Sequence, residues 1–274
     1  MSQFIEKDDF RQTFVVAKNE IIKTMRAKKA LLYLILVFAV LALQTILPYV
    51  VGDGLEGTAG ALFGQYAGYV SLITVLTATL FGSYTIVSEF EERTALVLFT
   101  RPIKKSSIFF GKFLSCYAIG AIVLGIYYLI SEIIVFAVTG DFVSSTGKSF
   151  AVTLGYLLAC TGVSMLISSF FKKGGTCAVM TFITILLFIS IISTVISASV
   201  DPWFMMDQAS SGITNCIPEY VDATNSTLSE VGSAMGIDLG SVTVADWAKD
   251  TGVLIVWGVV TLAIAFVKFI KKEF

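Results

Sequence analysis

Apolar residues in this chain come in long runs, broken by short charged or glycine-rich stretches, and not in the two-residue alternation of a half-buried strand. Six runs are long enough to matter: residues 30–51, 61–87, 113–138, 150–171, 175–200 and 251–270. Each reaches the roughly 20 residues that a helix needs to cross a ~30 Å hydrocarbon core. Backbone inside a bilayer must satisfy its own hydrogen bonds, and without alternating ten-residue strands helices are the solution. The pattern predicts an all-α integral membrane protein with six transmembrane helices. It also predicts an interfacial amphipathic helix ahead of the first span, a charged segment between helices 2 and 3, and a long loop between helices 5 and 6. Composition agrees, since 56% of the 274 residues are hydrophobic and only 14% are charged, more apolar side chain than a soluble domain of this length can bury.

The domain reading is therefore residues 1–29 as the interfacial segment and 30–274 as the membrane domain. Within the first, Phe10, Phe14, Ala17, Ile21 and Met25 recur at three- and four-residue steps, with Arg11, Lys18 and Lys23 on other faces within reach of anionic headgroups. The second span opens on Gly60, Gly64 and Gly68, a doubled G-x-x-x-G that lets another helix approach closely. In the loop 201–250, residues 226–235 and 242–249 are expected as short helices, with Asp201, Ser226 and Thr243 as caps. Residues 201–206 are expected at interfacial depth because of Trp203.

Charge sets the orientation. With the N-terminus inside, only Lys148 and Lys249 among the 19 basic residues fall in outward segments. The positive-inside bias places both termini in the cytoplasm of a multi-pass plasma-membrane protein. The 201–250 loop is then extracellular. Its Asn225-Ser226-Thr227 is a sequon, which makes Asn225 a possible glycosylation position in a host that modifies that side. Of the four cysteines, Cys116, Cys160 and Cys177 fall in spans, and Cys216 stands alone in the loop, where it either is buried or cross-links two copies.

Chemistry within the chain is sparse. There is no histidine, hence no imidazole base and no histidine-based zinc site. Thr146-Gly147-Lys148-Ser149 ends like a phosphate-binding loop, but Phe142 stands where its first glycine belongs. No metal site, cofactor site, catalytic residue or nucleic-acid partner is expected. Glu132 is the acid set well inside a span, either reaching outer headgroup water or lining a transport pathway.

The most informative stretch is residues 89–112, EFEERTALVLFTRPIKKSSIFFGK, expected as helix, break and helix at the inner surface. Thr100-Arg101-Pro102 stops a helix, because proline lacks an N–H and drives the preceding residue from the αR region. Glu89, Glu92, Thr94, Thr100, Pro102, Ile103, Lys104, Gly111 and Lys112 make this stretch resemble the ABC-2 type permease family, the membrane subunits of one class of ABC transporters. Arg93 stands where that family has glycine. The resemblance implies an exporter subunit that pairs with a second permease copy, identical or paralogous. It also implies docking to a cytoplasmic ABC ATPase, which itself binds the ATP and Mg. In that setting residues 89–112 are a coupling segment, with Glu89, Glu91, Glu92, Arg93, Thr94, Arg101, Pro102 and Lys104 as its docking and coupling residues. Two other readings stay open: an ion-coupled secondary transporter using Glu132, and a non-transporting scaffold subunit.

Overall fold

The computed structural model describes residues 7–52, 54–55, 57–91, 105–171 and 173–271. Helix α1 (Lys7–Arg26) turns at Ala27, whose backbone is extended, into α2 (Lys28–Val51), the first span. The second span runs through α3 (Ala59–Gly68), α4 (Val70–Thr77), a π-helical turn (Ala78–Gly82) and α5 (Ser83–Glu91). The third span is α6 (Lys105–Thr139) and the fourth is α7 (Thr146–Ser168). The fifth comprises α8 (Gly174–Ile183), a second π turn (Thr184–Phe188) and α9 (Ile189–Ser197). The loop that follows holds α10 (Met206–Ser210), α11 (Gly212–Asn215) and α12 (Pro218–Met235), and α13 (Trp247–Lys271) is the sixth span. Among the described residues six helical segments are long and apolar enough to cross a membrane, and no strand forms.

Spans two and four make the centre of the bundle. In their most apolar windows 67% of residues are buried, against 22% in spans one and five, which present Leu31, Leu32, Ile191 and Val195 outward, as lipid-facing helices do. Small and hydroxylated residues bring the centre together. Ser164 Oγ donates to the Ala78 carbonyl at 2.8 Å and Ser168 Oγ to that of Ser83 at 2.9 Å. The Ala78 carbonyl also accepts the Ser83 N–H across the π turn, and the fourth span fastens both ends of that turn with hydroxyls. Spans four and six meet through Gly162 and Gly258. A Cβ on Gly162 would stand 3.0 Å from the Gly258 carbonyl, and one on Gly258 would overlap Leu158.

Two parts of the chain differ from the sequence expectation. The helix expected after the Pro102 break is continuous with the third span, as one helix from Lys105 to Thr139 and not a separate surface piece. In the long loop one helix, α12, replaces the expected start at Ser226. Pro218 occupies its first turn, where a missing N–H costs nothing, and Gly236 ends it in the left-handed region at φ 69°. Ser226 sits mid-helix with its hydroxyl on the Asp222 carbonyl, and residues 238–246 are not helical.

Candidate functional site

The described part of the hinge is anchored by a buried ion pair. Lys112 is 2% exposed, yet its ammonium donates to Glu20 Oε1 at 2.9 Å and to the Thr85 carbonyl at 2.7 Å. These partners sit on α1, α5 and α6, so one side chain joins the interfacial helix to the end of the second span and the start of the third. Gly111 makes the approach possible. A Cβ there would stand 2.8 Å from Val16 Cβ and 2.9 Å from the Thr13 carbonyl. Thr13, Val16 and Glu20, at helical spacing, form the stripe of α1 that meets α6.

That stripe alters the amphipathic reading of α1. Ala17 is buried, but Phe14 and Met25 are 67% and 55% exposed. In a bilayer, apolar side chains need not face protein, and small or pairable residues make the helix contact instead. Around the ion pair the packing is aromatic. Phe109 packs against Phe266 and Phe269 at 5.4 and 5.5 Å between ring centroids, and Lys29 lies 3.3 Å from the centroid of Tyr84.

Of the hinge residues singled out by sequence, Glu89 and Glu91 lie in the last turn of α5. Glu92, Arg93, Thr94, Arg101, Pro102 and Lys104 lie outside the described residues. Glu132 is far from this cluster. Its carboxylate accepts from the Val143 N–H at 2.9 Å and from Thr146 Oγ1 at 2.8 Å, tying the end of α6 to the start of α7. Gly60 and Gly64 are covered by the first turn of α12. The Gly60 N–H donates to Glu219 Oε2 at 2.6 Å, and a Cβ on Gly64 would overlap the Tyr220 ring. Gly68 has open space around it. Both ends of the Asn225 amide are engaged, its Nδ2 donating to the Val242 carbonyl at 2.9 Å and its Oδ1 accepting from the Val242 N–H at 2.8 Å.

Sequence reasoning did not single out Glu20. The signal available was an acid on an interfacial helix one turn beyond Ala17, which needs a cation if that face meets protein. Nothing local names the cation, because Lys112 lies 92 residues away.

A family model described as ABC-2 family transporter protein matches residues 14–274. The chain belongs to this family. The match includes Val16, Glu20, Gly111 and Lys112, so both partners of the ion pair lie inside the ABC-2 segment. A search of curated proteins finds no match. Membership of the ABC-2 family makes the chain a multi-pass membrane permease subunit of an ABC transporter, a transport component associated with an ABC ATPase subunit.

Proposed function

We propose that this permease couples ATP hydrolysis by a separate cytoplasmic ATPase to export of a substrate across the plasma membrane, with both its termini in the cytoplasm. The observation that carries the reading is the Lys112 junction, which links α1, α5 and α6 on either side of residues 92–104. Residues 89–112 dock in a groove of the ATPase through Glu89, Glu91, Glu92 and Arg101, and Pro102 sets the angle of the segment. Closure of the ATPase then displaces the segment, and the junction passes the displacement to spans two and three and to α1 as one body. Coupling of this kind requires contacts that differ between two states of the permease. The π turns at Ala78–Gly82 and Thr184–Phe188 are points where spans two and five can change direction. Two copies, identical or paralogous, form the transport pathway.

The test is co-purification from the native host. The unmodified chain is expected to bring down a P-loop ATPase, and the variant carrying Glu92→Lys and Arg101→Glu to lose it at equal membrane expression. Equal recovery from both chains would remove residues 89–112 as the docking element.

A further inference from the structure

We propose that the cleft at the α1–α2 elbow binds the phosphate headgroup of an anionic phospholipid. The cleft encloses about 360 Å³ between the elbow and the inner part of the second span. Lys23, Lys28 and Lys29 line it together with Thr24, and Leu80, Phe81 and Ala30 give it an apolar wall. Among the described residues that line it the acid is Glu20, whose carboxylate is held by Lys112 at 2.9 Å. The charge that the cleft offers to a ligand is that of Lys28 and Lys29.

Three further observations select a lipid over a soluble anion. Lys28 and Lys29 open α2, so their ammonium groups stand where a spanning helix enters the bilayer and where its N-terminal dipole also favours phosphate. Leu31 and Leu32 follow at once, 61% and 65% exposed, and provide apolar surface for acyl chains beside the headgroup position. The cleft is also part apolar, which a free phosphate does not use and a glycerolipid does. The Tyr84 ring beneath Lys29 confines that side chain near the opening. Because Tyr84 and Thr85 belong to α5, a bound headgroup bridges the elbow to the helix that carries Glu89 and Glu91.

The test uses the full chain in phosphatidylcholine nanodiscs, with phosphatidylglycerol replacing part of the lipid in steps and thermal unfolding followed. Phosphatidylglycerol is expected to raise the melting temperature, and inorganic phosphate at equal charge to leave it unchanged. Lys28→Gln with Lys29→Gln should raise the phosphatidylglycerol content needed for half the effect by about tenfold, on the scale of one charge-assisted hydrogen bond to the phosphate. The arginine pair, Lys28→Arg with Lys29→Arg, should retain the response. Lys148→Gln with Lys249→Gln removes the same charge from the outward segments, away from the cleft, and should stay within about twofold of the unmodified chain. Where the double glutamine variant does not fold, Lys28→Gln alone is read by native mass spectrometry as phosphatidylglycerol retained per chain, expected to fall. A response to phosphate alone, an unchanged response in the glutamine variants, or no response in the unmodified chain overturns the proposal. None of these readouts involves an ATPase, so the proposal stands or falls independently of the coupling function.

Discussion

The ammonium of Lys112 and the carboxylate of Glu20 meet at 2.9 Å although 92 residues separate them along the chain. The lysine is 2% exposed and the glutamate 19%, so neither charge is solvated well enough to stand alone. Removing one partner of such a pair costs more than replacing both, since the survivor keeps its desolvation penalty without its counter-charge. Lys112→Met is therefore expected to destabilise the protein by about 3 kcal/mol. Glu20→Gln together with Lys112→Met should recover part of that loss. Thermal unfolding in a mild detergent measures both; a double variant less stable than Lys112→Met would contradict the pairing energetics. Transport in the double variant should remain impaired even where stability recovers, because the link that Lys112 makes between α1, α5 and α6 is gone.

Gly60, Gly64 and Gly68 look alike in the sequence and should respond differently to substitution. Gly64→Leu collides with the Tyr220 ring and should loosen α12 from the second span, at a cost of about 1–3 kcal/mol. Gly68→Ala meets nothing within 4 Å and should be neutral or gain up to about 1 kcal/mol in helix stability. Hydrogen exchange of residues 218–235 separates the outcomes. Faster exchange is expected for Gly64→Leu and unchanged exchange for Gly68→Ala.

The spans were legible because a bilayer demands uninterrupted apolar runs, a requirement few loops meet by accident. Their partners were not legible. The Gly162–Gly258 approach joins residues of different spans, and no local pattern distinguishes Gly162 from the lipid-tolerant Gly68. In the long loop, Pro218 was a first-turn residue hidden by a more conspicuous Ser226, and Ser226 turned out to lie mid-helix on the Asp222 carbonyl. At the hinge, Gly111 and Lys112 were visible as a motif, but their purpose was not. It required Val16 and Glu20 of α1 to be seen against them.

Cys216 should react slowly. It is buried, its Sγ–H donates to the Ile213 carbonyl at 3.6 Å, and burial pushes its thiol up to about 11. The thiolate is the reactive form, so at neutral pH its population is about a hundredfold below that of an ordinary thiol. Maleimide modification of a variant retaining only Cys216 should be correspondingly slow. It should accelerate about tenfold per pH unit over the range in which the fold persists. No disulfide-linked pair of copies through Cys216 is expected on mild oxidation of the folded protein; its appearance on a non-reducing gel would count against the burial.

Asn225 should not carry a glycan even in a host that modifies sequons on that side. The nitrogen that would be modified donates to the Val242 carbonyl, inside a two-bond clamp that holds residues 238–246 against α12. Asn225→Asp keeps the acceptor but sets a carboxylate against that carbonyl, and is expected to cost about 1–3 kcal/mol. Mass spectrometry of the loop peptide checks the first expectation and thermal unfolding the second. A glycosylated, normally stable chain would mean that the clamp opens readily.

Glu132→Gln separates a fastening role from a proton-carrying one. The carboxylate accepts two hydrogen bonds, one from the Val143 N–H and one from Thr146 Oγ1. A glutamine oxygen can keep the bond from the Val143 N–H, while its NH₂ donates to Thr146 Oγ1, whose proton turns to the Val143 carbonyl at 2.9 Å, so a charge-assisted bond becomes a neutral one. With both roles at stake, stability and transport answer different questions. The fastening role predicts a stability loss of about 1–2 kcal/mol, the scale of one lost charge-assisted bond. It also predicts that transport per folded molecule is unchanged and independent of an imposed proton gradient. A proton-coupled role predicts the reverse, with transport abolished in Glu132→Gln and gradient-dependent in the unmodified protein. The geometry favours fastening, because the 143–146 turn already engages both carboxylate oxygens. Measuring substrate flux in proteoliposomes with and without the gradient, for both chains, decides between them.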